Sequence, residues 1–350
     1  MTAVSDSPVA RAATDRAPKD VAGSRRSRSL VLAAIVGVPV SSIFLILAIR
    51  GADLDAVWRI VQDVRPVPLA GAVACMPVVY FCQAARWRRI AGTSHGQFRF
   101  FEMIVAGLAI NNVLPGRVGD LLRARWVARG AFSGGRGLAT VVVDRGFDIL
   151  ALATFLLVGL PFVTDAGWVD RIVVGTVLVL VALVGCVAAS RAYARRRAYE
   201  RRLQRGVVRR FVRDTIDGLS DPIAATARPR ELVLLSLAAW LTWAVGATLA
   251  ARAVGVELSV VEALFVTAAL NLGVAIPSSP GFVGTYQWLG VSALALFDVS
   301  RETGLAFAIV MQAVWFVPTT LGGAAILASR GFRAWRDGYS SPSGRWISPS

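Results

Sequence analysis

Long stretches of apolar, almost uncharged sequence restrict this chain to a protein that crosses a membrane several times. Such stretches occupy residues 30–49, about 67–85, 138–162, 172–190, 232–254 and 303–328. Each is long enough for a helix to cross a hydrocarbon core about 30 Å thick. Only 17% of the residues are charged, against roughly 25% in soluble domains, which excludes an ordinary soluble enzyme and a disordered chain. The sequence predicts an all-α polytopic membrane protein with about six full transmembrane helices.

Two further apolar stretches are interrupted near the middle by proline and glycine. They occupy residues 102–128 and 262–299, and each half has some 10–15 residues. Halves of that length are too short to span a bilayer comfortably, and irregular backbone at membrane depth survives only beside protein or a water-filled cavity. We therefore expect two re-entrant helical hairpins in addition to the six spans.

The two interruptions carry nearly the same five residues. Residues 115–119 read Pro-Gly-Arg-Val-Gly, and residues 280–284, which lie 165 positions later, read Pro-Gly-Phe-Val-Gly. Proline ends a helix and glycine lets the chain turn tightly. Paired interruptions of this kind in two halves of a chain point to a transporter with an inverted repeat and its substrate site. The alternative is an ordinary loop between two complete spans at each place. The predicted hinge residues are Pro115, Gly116, Gly119, Pro277, Pro280, Gly281 and Gly284.

The distribution of arginine predicts the orientation. The chain has 38 Lys and Arg against 22 Asp and Glu, a formal net charge of +16. Arginines concentrate in residues 86–99, 123–136, 191–213 and the C-terminal tail, whereas residues 50–66, 161–171 and 252–260 are balanced or acidic. By the positive-inside rule both termini are cytoplasmic. The sequence thus predicts a multi-pass protein of the inner (cytoplasmic) membrane, with the first hairpin entering from the cytoplasm and the second from outside.

These features predict three regions. Residues 1–29 form a disordered basic cytoplasmic tail, residues 30–330 a transmembrane domain, and residues 331–350 a second cytoplasmic tail. The repeat halves cover about 30–190 and 231–330, joined by a basic cytoplasmic linker at 191–230. The arginines of this linker fit anionic lipid head groups, or simple retention of topology. We expect membrane lipids and their anionic head groups as partners, and no nucleic acid.

The first hairpin carries charges beside its turn. Arg117 offers a planar fork of donors that fits a phosphate group, and Asp120 is placed to orient it. The half-helix after the turn presents the positive end of its dipole, which also suits an anion. Arg123 and Arg125 follow, and the alternative for both is a position at the cytoplasmic interface with extended side chains.

The next span contains Asp144, Arg145 and Asp148. Each charge at membrane depth costs roughly 2.5–3.5 kcal/mol, so we expect these side chains to face the interior of the bundle. They are either a self-neutralising cluster that holds helices together or the wall of a charged cavity, and Asp148 is a candidate partner of Arg117. Arg86 with Trp87, at the end of the second span, is expected to be an interfacial anchor.

The full set of predicted substrate-binding residues is Arg117, Asp120, Arg123, Asp144, Arg145, Asp148, Asn111, Asn112 and Gln287. For Gln287 and for Gln312 in the last span, a bond across helices is the alternative. The chain has one histidine, His95, and one lysine, Lys19. We therefore expect no metal site, no catalytic triad and no Schiff-base lysine, and we predict neither cofactor nor catalytic residue. The three cysteines lie in apolar runs and are expected to be small buried residues.

The order of these motifs resembles the lysylphosphatidylglycerol synthase transmembrane-region family over about residues 30–330. The motifs are residues 111–120, residues 144–148 and residues 277–284. Family members usually show a glutamate where this chain has Asp120 and another where it has Asp144. They commonly show an acidic residue near Gln287, which is absent here, so proton-coupled use of that position is in doubt.

The resemblance implies translocation of a lipid between leaflets rather than enzymatic activity. Because the chain ends at Ser350, we expect no soluble synthase domain. The predicted function is a flippase for a phosphate-bearing lipid: a phospholipid, an aminoacyl-phospholipid or a polyprenyl-linked sugar. Two alternatives stay open, a non-transporting membrane partner of a cell-envelope glycosyltransferase or another membrane enzyme, and an intramembrane lipid-linked transferase.

Overall fold

A computed structural model describes residues 37–115, 117–129, 133–163, 228–274 and 279–339, with side chains to residue 329, and isolated positions at 174–175, 185 and 214–215. All regular structure in these ranges is helical. The helices are α1 (Gly37–Ile49), α2 (Leu54–Gln62), α3 (Pro66–Ala91), α4 (Gln97–Val113), α5 (Val118–Ala128), α6 (Gly134–Gly159), α7 (Pro229–Ala253), α8 (Val260–Gly273), α9 (Thr285–Ala295) and α10 (Arg301–Tyr339). Short 3₁₀ turns lie at Leu160–Phe162 and Pro280–Phe282. The protein is an all-α membrane protein.

Three described helices are long and apolar enough to cross a membrane: α3, α7 and α10 over Arg301–Ser329. The helix α6 has the same length as α3, but Arg136, Asp144, Arg145 and Asp148 interrupt its apolar sequence. Of the first predicted span, residues 37–49 form α1. The predicted span at 172–190, the linker at 191–230 and the tail at 1–29 lie outside the described residues, apart from the isolated positions. The prediction of six spans therefore stays a prediction.

The helices α3 and α7 form an antiparallel pair. Both begin with a proline, Pro66 and Pro229, whose fixed φ suits the first position of a helix. The backbone N–H of Arg65 donates to the carbonyl of Ala253 at one end of the pair (2.9 Å), and Arg89 forms an ion pair with Glu231 at the other end (3.2 Å). The pair therefore defines two opposite ends of the bundle.

Each half of the chain contains a hairpin, and the two hairpins enter the bundle from opposite ends. Hairpin 1 (α4 and α5) follows the last residue of α3, whereas hairpin 2 (α8 and α9) follows the last residue of α7. Because α3 and α7 are antiparallel, these entry points lie at opposite ends. The helices α5 and α9 have 11 residues each, about 16 Å, which is too short to cross the hydrocarbon core. The predicted breaks at both Pro-Gly motifs are confirmed.

The packing of the helices has an internal symmetry. When α3 is exchanged with α7, α4 with α8, α5 with α9 and α6 with α10, every closely packed pair among these eight helices maps onto a pair that also packs closely. The contact of α2 with α10 has no counterpart. For example, α4 packs on α10 as α8 packs on α6, and α5 packs on α6 as α9 packs on α10. This exchange relation supports the predicted repeat of two halves.

The two hairpin tips have related backbones and touch one another. Arg117 and Phe282 occupy the same position of the repeated motif, and both have left-handed φ values, 53° and 60°. Arg117 Nη2 donates to the carbonyl of Val274 at the end of α8 (2.9 Å). Gly281 lies against the backbone of Asn112 at the end of α4. The tip of each hairpin thus meets the first helix of the other.

Candidate functional site

Three arginines and three aspartates form a closed ring of ion pairs between α3, α5 and α6. Going round the ring, the residues are Arg86, Asp144, Arg123, Asp120, Arg145 and Asp148, and we call this set the charge ring. The six N–O distances, in the same order, are 2.8, 3.2, 3.3, 3.0, 3.2 and 2.7 Å. Each arginine bonds two aspartates and each aspartate bonds two arginines, so the ring has no net charge.

Arg86 holds the inner side of the ring. Its side chain is 0% exposed, and its Nε and Nη2 donate to Asp144 and Asp148 at 2.8 and 2.7 Å. Its third nitrogen, Nη1, donates to Ser236 Oγ on α7 (2.9 Å), and Trp240 Nε1 donates to Asp148 (3.0 Å). These contacts tie α3, α6 and α7 together. They also satisfy charges whose burial without partners would cost several kcal/mol each.

Arg123 links hairpin 1 to the inner side of the ring. It is 1% exposed, and its Cζ lies 4.4 Å from the centroid of the Trp87 ring, a cation–π contact. Trp87 Nε1 in turn donates to Thr140 Oγ1 on α6 (3.1 Å). The side chain of Arg123 is therefore enclosed, so the alternative of a position at the membrane interface is wrong.

The ring is open at its Asp120–Arg145 edge. The exposed side-chain fractions are 14% for Asp120 and 31% for Arg145, against 2% for Asp144 and 7% for Asp148. Arg117, at the tip of hairpin 1, lies within electrostatic range of both residues of this edge. Its side chain is exposed apart from the bond to Val274. The open edge is therefore joined by a cation, Arg117, whose hydrogen bond goes to a backbone carbonyl rather than to a carboxylate.

The predicted amide residues bond within the protein. Asn111 Oδ1 accepts from the backbone N–H of Gly119 (2.7 Å), which holds α4 against α5. Asn112 Nδ2 donates to the hydroxyls of Thr319 and Thr320 on α10. These bonds stabilise hairpin 1, and contact of either asparagine with a substrate stays a prediction.

Gln287 has the corresponding place in hairpin 2. Its Oε1 accepts from the N–H of Gly284 (2.6 Å), and its Nε2 bonds Gln312, whose Nε2 donates to the carbonyl of Gly281 (2.6 Å). The structure shows the alternative given for the two glutamines, a bond across helices, and contact of Gln287 with a substrate stays a prediction. Because the N–H groups of Gly119 and Gly284 have side-chain acceptors, the two half-helix ends offer fewer free donors than the sequence indicates.

The structure brings together most of the charged residues that the sequence singles out. Asp120, Arg123, Asp144, Arg145 and Asp148 all belong to the charge ring. Of the predicted hinges, Gly116 and Pro277 lie outside the described residues.

Two expectations about the arginines are wrong. Arg86 is a buried member of the ring rather than an interfacial anchor. Asp148 pairs with Arg86 and Arg145 rather than with Arg117. In both cases the rotation of α3 decides the outcome, because it turns Arg86 into the bundle.

The ring suits recognition of charge rather than acid–base chemistry. All three carboxylates form ion pairs with arginines, which makes them poor general bases. Among the described residues no group of three or more His, Cys, Asp or Glu side chains is arranged to hold a metal ion. Arg117 and the exposed part of Arg145 are the groups of this site placed to contact an anion.

Comparison with known proteins agrees with the membrane architecture. Residues 31–323 match the family described as lysylphosphatidylglycerol synthase TM region. Glycosyltransferase AglD of Haloferax volcanii is 28% identical over an alignment of 338 residues, which covers 84% of this chain and 54% of AglD. A UPF0104 membrane protein of Methanothermobacter thermautotrophicus is 24% identical over 323 residues, covering 83% of this chain and 93% of that protein.

The chain spans about half of the length of AglD and nearly all of the UPF0104 membrane protein. The family match covers most of the 350 residues, including both hairpins and the charge ring. The protein therefore belongs to the lysylphosphatidylglycerol synthase TM region family of membrane proteins.

Proposed function

We propose that this protein moves a phosphate-bearing lipid between the leaflets of the bacterial cytoplasmic membrane. One observation carries the proposal: the tips of two oppositely inserted hairpins meet beside the open edge of a buried charge ring. In that place Arg117 is an exposed cation with room for a partner. The candidate substrates are a phospholipid, an aminoacyl-phospholipid and a polyprenyl-linked sugar, since all three carry phosphate.

The arrangement supports a simple division of roles. Arg117 and Arg145 contact the phosphate, because at the open edge Arg117 is exposed and Arg145 is partly exposed. The ring as a whole, with three arginines and three aspartates, keeps the surrounding helices in register without adding net charge. The hydrocarbon chains of the lipid stay in the bilayer while the head group passes the hairpin tips. Hairpin 1 opens the site to one side of the membrane and hairpin 2 to the other.

The proposed location follows from the arginine distribution in the sequence. With the arginine-rich loops in the cytoplasm, the α3–α4 loop and both termini lie inside, and the end defined by α2 and the last residue of α7 lies outside. Hairpin 1 then enters from the cytoplasm and hairpin 2 from the outside. A head group therefore has a separate gate at each leaflet.

The direct test is transport by purified protein in liposomes. A fluorescent phosphatidylglycerol is placed in both leaflets. The loss of its fluorescence after addition of an impermeant reductant measures exchange between leaflets. We expect wild-type protein to make the inner-leaflet lipid accessible and Arg117→Ala to abolish this effect. Arg125→Ala is the matched control, because Arg125 is an exposed arginine of the same hairpin outside the ring.

The result depends on equal insertion of the three proteins, which is measured by protease protection of the reconstituted chains. Loss of exchange in Arg117→Ala together with wild-type exchange in Arg125→Ala supports the site. Exchange that persists in Arg117→Ala rejects it.

The similarity to AglD favours a second candidate function. AglD is named a glycosyltransferase, and 46% of its length lies outside the match with this chain. A membrane region of this kind could act as the partner of a separate glycosyltransferase of the cell envelope. Copurification of such an enzyme in a fixed ratio, with no lipid exchange by the isolated protein, would favour this candidate over the flippase. An intramembrane transferase has less support, because the ring carboxylates are paired and unsuited to act as a base.

A further inference from the structure

Asp120 differs from the other two carboxylates of the charge ring. It is the one ring carboxylate on a hairpin, while Asp144 and Asp148 belong to α6. Its exposed fraction is at least twice theirs. Both of its ion pairs use the same oxygen, Oδ1, at 3.0 and 3.3 Å. The inner pairs made by Arg86 are shorter and involve separate aspartates, so Asp120 is the ring carboxylate with the longest ion pair, and its second oxygen takes no part in the ring.

Three arginines surround this one carboxylate. Arg123 and Arg145 bond it directly, and Arg117 lies one turn away, where its carbonyl accepts from the backbone N–H of Asp120 (3.1 Å). Two of these arginines have donors to spare, because the Nε atoms of Arg123 and Arg145 are buried without a hydrogen-bond partner. Asp120 takes one nitrogen from each of these two arginines, and the Nε donor of each stays unused. The cluster is therefore larger than its present occupant requires.

We propose that Arg117, Arg123 and Arg145 form an anion site that the carboxylate of Asp120 occupies in this conformation. The site takes a phosphate oxyanion, which has the charge of a carboxylate and more acceptor oxygens. This inference rests on the proposed function and adds to it the identity of the site and of its internal competitor. When a phosphate displaces Asp120, the ring keeps its charge balance, and the bond between Asp120 of hairpin 1 and Arg145 of α6 is released.

Displacement of Asp120 by phosphate lowers the measured affinity of the wild-type protein for phosphate. Because Asp120 must leave first, the site is vacant in only a fraction of the molecules. The apparent affinity for phosphate equals the affinity of the vacant site multiplied by that fraction. Removal of the carboxylate removes this competition. We therefore expect Asp120→Asn to bind phosphate about tenfold more tightly or better, which corresponds to about 1.4 kcal/mol or more.

The test measures binding to the full chain in detergent by isothermal titration calorimetry, with inorganic phosphate and dihexanoyl phosphatidylglycerol as separate probes. The same substitution at an exposed site, Asp63→Asn, is the matched control. A gain for both probes shows that the site reads the oxyanion alone, and a gain for the lipid alone shows that it also needs the rest of the head group. The double variant Arg117→Ala/Asp120→Asn is expected to lose the gain.

Two outcomes would overturn the inference. One is unchanged or weaker binding of both probes by a folded Asp120→Asn protein. The other is a gain that persists in the double variant, since it would place the anion elsewhere. Should Asp120→Asn fail to fold, Asp120→Ser tests the same point with a smaller uncharged side chain.

The outcome is separable from that of the transport assay. Tighter phosphate binding by Asp120→Asn, without lipid exchange by the wild type, keeps the anion site and rejects the flippase. Exchange by the wild type without a gain in Asp120→Asn keeps the flippase and rejects the role of Asp120 as an internal competitor.

Discussion

At the scale of single residues, the charge ring turns six costly side chains into one neutral unit. Breaking a buried ion pair on one side is far more damaging than never having it, because the remaining charge stays buried without a partner. Arg86 is the extreme case in this ring, since two buried aspartates, Asp144 and Asp148, depend on it.

We expect Arg86→Met to destabilise the protein by about 3–5 kcal/mol, because methionine fills a similar volume but leaves both aspartates short of a partner. The matched control is Arg89→Met on the same helix. Arg89 pairs with Glu231, and both side chains are about 40% exposed, so this change should cost about 0–1 kcal/mol. The measurement is the free energy of unfolding in mixed micelles. Equal losses in the two variants would show that the ring does not contribute as described.

The sequence predicts part of this ring from charge alone. Asp120, Arg123, Asp144, Arg145 and Asp148 sum to one negative charge, so a neutral buried cluster needs one more cation. The requirement for neutrality does not decide, however, whether that cation is Arg86 or Arg117. That choice depends on how α3 is rotated about its axis, which long-range packing with α6 and α7 decides. Arg86 was therefore missed, although the charge deficit was a signal for it.

At the scale of elements, the hairpins depend on close backbone approach to neighbouring helices. A Cβ atom at Gly119 would overlap the backbone carbonyl of Gly107, so α4 and α5 touch backbone to backbone at this point. A Cβ at Gly284 would overlap the carbonyl of Ser41 on α1 in the same way. The sequence predicted both glycines as hinges, and the structure adds that their small size is needed for packing.

We expect Gly119→Ala to push α5 away from α4 and to destabilise the protein by about 1–3 kcal/mol, as overpacking commonly does. The displaced α5 also carries Asp120 and Arg123, so lipid exchange should fall as well. Gly96→Ala is the control, because a Cβ at Gly96 meets no atom within 4 Å. It should change stability by less than about 0.5 kcal/mol. Thermal unfolding of both proteins in detergent decides the point, and equal melting temperatures would contradict the close packing.

Sequence patterns predict the presence of these helices better than they predict the residues at which the helices begin and end. Proline and glycine mark the breaks because their backbone limits are local properties of those residues. The length of α4, 17 residues, exceeds the expected half-helix. The helix begins at Gln97, five residues before the apolar stretch that starts at residue 102. There Gln97 Nε2 donates to the carbonyl of Phe81 on α3 (3.1 Å), a contact between helices that no local pattern reveals.

At the scale of the whole molecule, the antiparallel α3–α7 pair fixes which loops share an end. The α3–α4 loop, residues 92–96, lies at one end, and the α7–α8 loop, residues 254–259, lies at the other. The sequence predicted this opposition from its arginines alone. The structure supports it from helix packing, which is independent of charge.

We expect single cysteines at the two loops to react from opposite sides of the membrane. Ser94→Cys and Glu257→Cys, both at exposed positions, are made in a chain whose Cys75, Cys82 and Cys186 are replaced by serine. An impermeant maleimide added to intact spheroplasts should label Glu257→Cys, and it should label Ser94→Cys only after the membrane is opened. The cysteine-free chain is the control for background. Labelling of both from the same side would refute the opposed insertion of the hairpins.

The matching bends at Arg117 and Phe282 have one more consequence. The same backbone shape presents a guanidinium at one tip and a benzene ring at the other. The repeated backbone conformation therefore carries a charged side chain at the tip of hairpin 1 and an apolar one at the tip of hairpin 2. This difference fits the proposed function, because an amphiphilic lipid also joins a charged head group to an apolar part.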